Sequence, residues 1–362
     1  MKIAFIGDIA LFGRLSLTNN PHLSEYFKDV ADYLHGEDLV IGNLESPFSV
    51  VKRIHGAKSA YLYSDPDNVE VLKWLNISAV SLANNHMFDY GKEGYETTKK
   101  LLTENGIEWF GSEGRDILIE VQGSKLAISG FCCYSSGPRE CVPYGKYGVN
   151  EYNLGHVSTH IKNYSNSGYL NVVCVHAGKE HVNYPSLDTI KAARLLATES
   201  PILYIGHHPH VAQGIERING GLIAYSLGNF CFDDVYSSVS DKPLIELSDN
   251  NRNSFILEVK IESNQIVDYS IVPIYIGKEK MFLNKGITYE TIVKYTEPIH
   301  QLSEAKYEEM RTSLLNEYVE ERKNKRNLSW YIKRLRPRYV KILLYGKSNK
   351  KKYNNSIKRF LK

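Results

Sequence analysis

Apolar residues fall along this chain in short runs, and most of the runs end on a glycine or a polar cluster. Residues 3–6 form one such run, closed by Gly7 and Asp8, and residues 38–45 repeat the design as Asp-Leu-Val-Ile-Gly-Asn-Leu-Glu. Residues 77–82 lead in the same way into Ala83-Asn84-Asn85-His86. Short β-prone runs bounded by turn formers predict buried strands. Between them the apolar spacing turns helical, over residues 23–30, 66–75 and 92–105. Strand and helix in regular alternation predict an α/β layer architecture.

The second half continues the pattern. Residues 117–121 and 125–131 predict a hairpin across a Gly-Ser turn. Residues 132–150, rich in Gly, Pro and Tyr, read as a long loop, either a substrate wall or a plain surface excursion. A helix over 154–164 precedes a strand at 170–176 that ends on His176-Ala177-Gly178-Lys179-Glu180. A helix over 187–199 precedes a strand at 202–205 that runs into Gly206-His207-His208-Pro209-His210. Residues 222–227 are a further β stretch ending in Gly228-Asn229-Phe230, and 254–275 read as a hairpin broken near Ser263-Asn264. From residue 288 the pattern is helical, including 304–323. The expected division is a main domain over 1–278 and a helical, strongly basic extension over 279–362.

Charge sharpens that division. The net charge of +3 hides 16 Lys and Arg with no Asp or Glu in residues 322–362, which leaves 28 basic against 41 acidic side chains, or −13, in the rest. At 362 residues, 43% hydrophobic and 23% charged, the chain has ordinary globular composition and room for a sizeable core. Cys132, Cys133, Cys141, Cys174 and Cys231 are odd in number and match no zinc spacing, so reduced core thiols in a cytoplasmic protein are expected. The first apolar run is too short for a signal peptide, and no run approaches the roughly 20 residues of a membrane span.

Six strand tips carry candidate ligands: Asp8; Asn43 with Glu45; Asn85 with His86; His176 with Glu180; His208 with His210; and Asn229. Imidazoles crowd into three of four positions at 207–210, and neutral imidazole is the commonest protein ligand for borderline metals. Ligands at successive strand tips converge along one sheet edge, where open α/β proteins place their sites. Taken singly the tips have plainer readings. His176 suits a buried, hydrogen-bonded histidine, Asn84 a turn cap, Asn229 a positive φ after Gly228, and Asp233 and Asp234 a turn. Glu180 is expected behind the ligands and His181 in solvent. His22, His35, His55, His156 and His160 have no supporting context.

Gly7-Asp8 with Gly13-Arg14, Asn43-Leu44-Glu45, Ala83-Asn84-Asn85-His86 with Asp89-Tyr90-Gly91, His176-x-Gly178-x-Glu180, Gly206-His207-His208-Pro209-His210-Val211 and Ser226-Leu227-Gly228-Asn229-Phe230 occur in that order. The set resembles the CapA (poly-γ-glutamate and capsule synthesis) family of the calcineurin-like metallophosphoesterase superfamily, over residues 1–275. The resemblance implies a β-sandwich flanked by helices, with a two-metal centre at the strand ends. It implies Asp8 and Glu45 as carboxylate ligands, with Glu45 bridging, and Asn85, His176 and His208 at the second metal. His210 would serve the first. His86 is similar to the superfamily's catalytic histidine, with Asp89 orienting its ring. Arg14 is expected to clamp a phosphoryl oxygen. Two positions depart from the pattern: Ala10 stands where superfamily phosphatases carry a histidine, and the bridging Gly-Asp element reads Gly42-Asn43-Leu44-Glu45. A mixed nitrogen and oxygen set suits Mn, Fe or Zn.

The function implied is a metal-dependent hydrolase resembling phosphoesterases, acting on an anionic polymer or phosphoester in capsule or exopolymer synthesis. The alternative is a non-catalytic, metal-binding assembly factor of the polymer-synthesis machinery. In the tail, Ser329-Trp330-Tyr331-Ile332-Lys333-Arg334-Leu335-Arg336 and the residues to Tyr345 alternate cations with apolar groups. That pattern suits an anionic membrane surface, placing the protein peripherally at the inner face of the membrane. It equally suits a helical extension packed on the body. Nucleic acid, supported by the tail alone, is the weakest partner.

Overall fold

Alternate residues of the first strand, β1 (Lys2–Ile9), enter two different apolar cores. Ile3 and Phe5 face one, and Ala4 and Ile6 face the other. Burial on both faces is why these strands read as continuous apolar runs rather than as alternating ones. In the computed structural model, which describes residues 1–51, 54–56, 58, 60–237, 240–324 and 337–361, two sheets pack face to face with helices outside them. The expected α/β sandwich is what the chain forms.

The first sheet runs β18 (Met281–Leu283), β17 (Gln265–Ile276), β16 (Asn253–Glu262), β1, β2 (Leu39–Leu44), β3 (Ala79–Ser81), β4 (Glu108–Phe110), with β13 (Asn229–Cys231) beside the far end of β1. The second runs β11 (Ile215–Ile218), β12 (Gly221–Ala224), β10 (Ile202–His207), β9 (Leu170–His176), β6 (Ser124–Cys132), β5 (Ile117–Val121). Strands β1 to β4 are parallel, as are β6, β9, β10 and β12, so each sheet presents a row of C-terminal strand ends. Between the sheets lie Ile3, Phe5 and Ile41 from one side and Val172, Cys174, Leu203 and Ile205 from the other. Helix α1 (Leu23–Leu34) covers the first sheet with Tyr26, Phe27, Val30 and Leu34, at helical spacing. Helices α4 (Leu154–Asn166) and α5 (Leu187–Glu199) cover the second, capped by Asn153 and Ser186.

The inner column of each central strand ends in a polar group. In β9, residues 170, 172 and 174 face the other sheet, and the same alternation brings His176 to that face. His207 follows Leu203 and Ile205 in β10 and pairs in register with His176. Strand β1 reaches the same result through a bulge: Phe5 pairs with Ile41, but Asp8 pairs with Asn43, three residues against two. One extra residue reverses the facing of everything beyond it. The bulge therefore turns Asp8 inward. Gly7 sits within the bulge, where a Cβ would lie 2.0 Å from the Gly228 carbonyl oxygen.

Several expectations meet a different arrangement. The helix expected over 66–75 is a 3-10 turn, Pro66–Asn68, followed by α2 (Val69–Trp74). A boundary at residue 278 would cut the first sheet, because β18 pairs with β17 across it. Residues 235–237 and 240–245, unread in the sequence, form the antiparallel pair β14 (Val235–Ser237) and β15 (Ser240–Ile245). Helices α7 (Tyr289–Gln301) and α8 (Glu304–Asn324) pack back on the body through Ile292, Ile299 and Tyr307. The tail stretch 329–336 lies outside the described residues, and α9 (Pro337–Ser356) follows it. All five cysteines are buried and unpaired. Among the described residues no helix is long and apolar enough to cross a membrane.

Gly7→Ala forces its methyl group into backbone, so denaturation should show a loss of about 3 kcal/mol or more; a loss below about 0.5 kcal/mol contradicts the bulge geometry. Glu37, buried ahead of β2, is raised to about 7 by burial and by the charge of Glu258. A raised carboxyl stabilises the folded state below the unfolded value and loses that contribution as pH climbs through the folded one. Glu37→Gln should therefore gain about 1 kcal/mol over wild type at pH 8 and nothing at pH 4. Equal gains at both pH values contradict the assignment.

Candidate metal centre

Where the apolar core between the sheets ends, their polar strand tips meet. Asp8 accepts from Asn43 Nδ2 at 2.8 Å and from the His208 backbone N–H at 3.2 Å, and it stands 3.3 Å from both His207 Nδ1 and His210 Nδ1. Glu45 Oε1 lies 3.5 Å from His176 Nε2 and 3.8 Å from His210 Nε2. His176 Nε2 is 2.9 Å from Asn85 Oδ1, and the rings of His176 and His208 are 4.7 Å apart. Asp8, Glu45, Asn85, His176, His208 and His210 thus share one buried site, although up to 202 positions separate them in the sequence.

The histidine loop is held in a costly backbone. His208 and His210 have φ of +95° and +57°, in the left-handed region that side chains other than glycine rarely adopt. Such residues cost on the order of 1–3 kcal/mol each and persist where their surroundings over-determine them. Here Asp8 holds the His208 N–H, Asn251 Nδ2 donates to the His210 carbonyl at 2.9 Å, and the His181 N–H donates to the Pro209 carbonyl at 2.7 Å. Asn229 Oδ1 takes the Nδ1 side of the His210 ring at 2.9 Å, which leaves Nε2 turned toward Glu45.

Glu45 is fully buried, and among the described residues neither of its oxygens has a hydrogen-bond partner; His208 Nδ1 also lacks one. Buried carboxylates are normally paired, so this arrangement suits a cation. Glu45, His208 and His210 offer ligand atoms within 4.8 Å of one another, and their chemistry fits a borderline divalent metal. Burial raises the Glu45 carboxyl well above its usual range. Burial likewise holds His208 down to about 3, in the neutral form a metal requires. Burial opposes charge on His210, but Glu45 and Asp8 outweigh it and hold that imidazole up to about 10. Asp8, also buried, is kept well below its usual range by His207 and His210. Its oxygens are already engaged, so it stands behind His210 rather than in the three-donor set.

A second group lines the same pocket. His86 Nδ1 is 2.6 Å from Asp89 Oδ2, and Lys58 Nζ donates to Asp89 Oδ1 at 2.6 Å and to the Asn85 carbonyl at 2.7 Å. Burial, then Lys58, lowers His86, so the ring is neutral. Asp89 Oδ2 at 2.6 Å lies nearer Nδ1 than Lys58 Nζ at 3.1 Å, and a carboxylate only accepts, so Nδ1 carries the proton and Nε2 is the basic nitrogen. The cavity lined by Lys58, Asn85, His86 and His210 measures about 290 Å³.

The family model for bacterial capsule synthesis protein PGA_cap matches residues 2–234, a span that contains every donor named above. The chain belongs to that family. The PGA_cap family lies within the metallophosphoesterase-like superfamily. Among relatives, the capsule biosynthesis protein CapA of Bacillus anthracis is 28% identical over 272 residues, 72% of this chain and 66% of that protein. The PGA biosynthesis protein CapA of Bacillus subtilis (strain 168) is 29% identical over 256 residues, 68% and 67% of the two chains. This chain therefore spans about two thirds of their length. Among solved structures it is similar to a hypothetical protein from Thermus thermophilus, with TM-score 0.45 and 17% identity over 79% of this chain and 100% of that one. The NAD nucleotidase of Haemophilus influenzae gives 0.42 and 15%, over 90% and 60%.

Against the expected PGA_cap site, Arg14 is the clear exception. Its guanidinium donates to Asp233 Oδ1 from Nε at 3.0 Å and Nη2 at 2.6 Å, and to the Lys278 carbonyl from Nη1 at 2.8 Å. Those acceptors hold it away from the pocket, so it is not placed as a phosphoryl clamp. His181 does not face solvent; its ring lies against Tyr318 and bonds Asn251 Nδ2 at 2.8 Å. Glu180 lines the cavity itself, lowered against burial to about 2 by His208 and His210. Asn84 caps the turn, accepting from the N–H groups of His86 and Met87, and Asn229 positions His210. Lys58 and Asn251 carry weight the sequence reading did not assign them.

Elemental analysis after dialysis against Mn²⁺ or Zn²⁺ should find metal in the wild type and at least about tenfold weaker retention in Glu45→Gln. Added metal should also raise wild-type stability, by about 2.7 kcal/mol at one hundred times Kd. Equal retention by both proteins contradicts the donor set.

Proposed function

We propose that this chain is a metal-dependent phosphoester hydrolase serving capsule or exopolymer assembly. The observation that carries the reading is one cavity lined both by His210, a member of the converging Glu45, His208 and His210 set, and by a neutral His86 whose basic nitrogen is free of Asp89. A divalent cation held by Glu45, His208 and His210 supplies Lewis acidity toward a phosphoryl oxygen. The remaining work falls to the protein's own side chains. His86 Nε2 takes the proton that water loses as its oxygen bonds to phosphorus, and gives it up to the alkoxide released when the P–O ester bond breaks, while Asp89 stabilises the imidazolium formed in between. Lys58 fixes Asp89 and the Asn85 carbonyl, and so the angle at which His86 meets the pocket. A second cation would have to displace the Asn85–His176 hydrogen bond.

A second reading has its own support. With Ala10 in place of a histidine and Arg14 held by Asp233, the site lacks two groups a phosphatase uses, which favours a metal-binding assembly factor with little turnover. Hydrolysis of p-nitrophenyl phosphate and of bis-p-nitrophenyl phosphate by metal-loaded protein separates the two. The hydrolase reading expects turnover that falls about 10²- to 10³-fold in His86→Ala while the metal stays bound. Metal retained without any His86-dependent turnover selects the assembly factor.

A further inference from the structure

The last described helix, α9, closes one side of the candidate pocket. Tyr345 donates to the Pro138 carbonyl at 2.7 Å, Tyr353 donates to Asp188 Oδ2 at 3.0 Å, and the Arg139 guanidinium lies 4.4 Å from the Tyr345 ring centre. Residues 345, 349 and 353 fall on one face of a helix, and the middle one is Asn349. Asn349 is 4% exposed and lines the cavity bounded by His86, Asn85 and His210. Among the described residues neither its Nδ2 nor its Oδ1 has a hydrogen-bond partner.

A buried carboxamide with both functions unmet works against folding, so its presence in the wall marks a partner that arrives with the ligand. A carboxamide shows an N–H and a C=O side by side, and a second amide presents the reciprocal pair. Around it, Phe232, Ile245, Leu247 and Ile342 make an apolar wall. At about 290 Å³ the cavity is at the small end for ligand sites, which run roughly 300–1,000 Å³, so it suits a single sugar- or amino-acid-sized unit rather than a run of polymer. The helix lies beyond residues 2–234, so the family match does not account for it.

We propose that Asn349 is a specificity-determining residue that binds an amide group on the organic part of the phosphoester, while the metal and His86 side of the cavity takes the phosphoryl group. The proposal rests on the phosphoesterase reading above for the phosphate end of the ligand.

Calorimetric titration of the full chain in Mn²⁺ tests it with N-acetylglucosamine 1-phosphate and N-acetylphosphoserine amide as probes. Glucose 1-phosphate and ethyl phosphate are the amide-free counterparts. At least one amide probe should bind about tenfold or more tightly than its counterpart, and which one does tells a sugar amide from a peptide amide. Asn349→Leu should bring that ratio close to one without lowering Tm, because the group removed has no partner among the described residues. Asn349→Ala, which adds no bulk, should do the same to the ratio. Wild type that shows no preference for either amide probe, or a variant that keeps the preference, overturns the proposal. The hydrolase reading fails separately, as absence of His86-dependent turnover while the binding preference persists.

Discussion

A buried carboxylate, Asp8, joins the two sheets at the edge where their shared apolar core ends. It belongs to the first sheet, and from across the gap the His208 backbone N–H donates to it while the His207 and His210 rings stand 3.3 Å away, all three at the end of the central strand of the second. An uncompensated charge there would cost several kcal/mol, so the sheets are tied in register by the need to keep Asp8 paired. That tie depends on a single irregularity. Without the extra residue in β1, Asp8 would turn toward the outer helices and Gly7 would stand opposite Asn43.

The metal centre builds on this clasp. Asp8 and Asn229 fix the Nδ1 side of His210, and the backbone contacts to Asp8 and Asn251 hold the strained loop that brings His208 alongside. Glu45, one residue past the end of β2, is then buried against imidazoles, its carboxylate oxygens without a hydrogen bond among the described residues. The pocket is walled on one side by β14, β15 and α9, through Val235, Leu244, Ile245, Ile342, Tyr345 and Asn349. Its chemistry is therefore assembled from the sheets, whereas its outer walls come from segments added later in the chain.

That difference explains what the sequence made legible. Strands buried on both faces leave continuous apolar runs, and the residues just past those runs, Asn43, His176 and the 207–210 histidines, are where the donors lie. The α/β sandwich and the clustering of the six donors follow from that regularity. Contacts between distant segments leave no such trace. Nothing near Arg14 announces Asp233, 219 positions away, and Lys58 sits in a loop with no periodicity. Strands β14 and β15 escaped notice because Ser, Asp, Lys and Pro interrupt their apolar positions. In the tail, sixteen cations drew attention away from the quieter spacing of Tyr345, Asn349, Tyr353 and Ile357, the face that packs on the body.

Metal chemistry at this site depends on Glu45, His208 and His210 closing around a cation. Anomalous diffraction from a crystal grown with Mn²⁺ tests that most directly, because it places the ion without reference to any activity. The expected result is a peak bounded by these three side chains, with Asp8 outside the ion's immediate neighbours. A pocket without a peak, in a crystal whose surface sites are loaded, would contradict it.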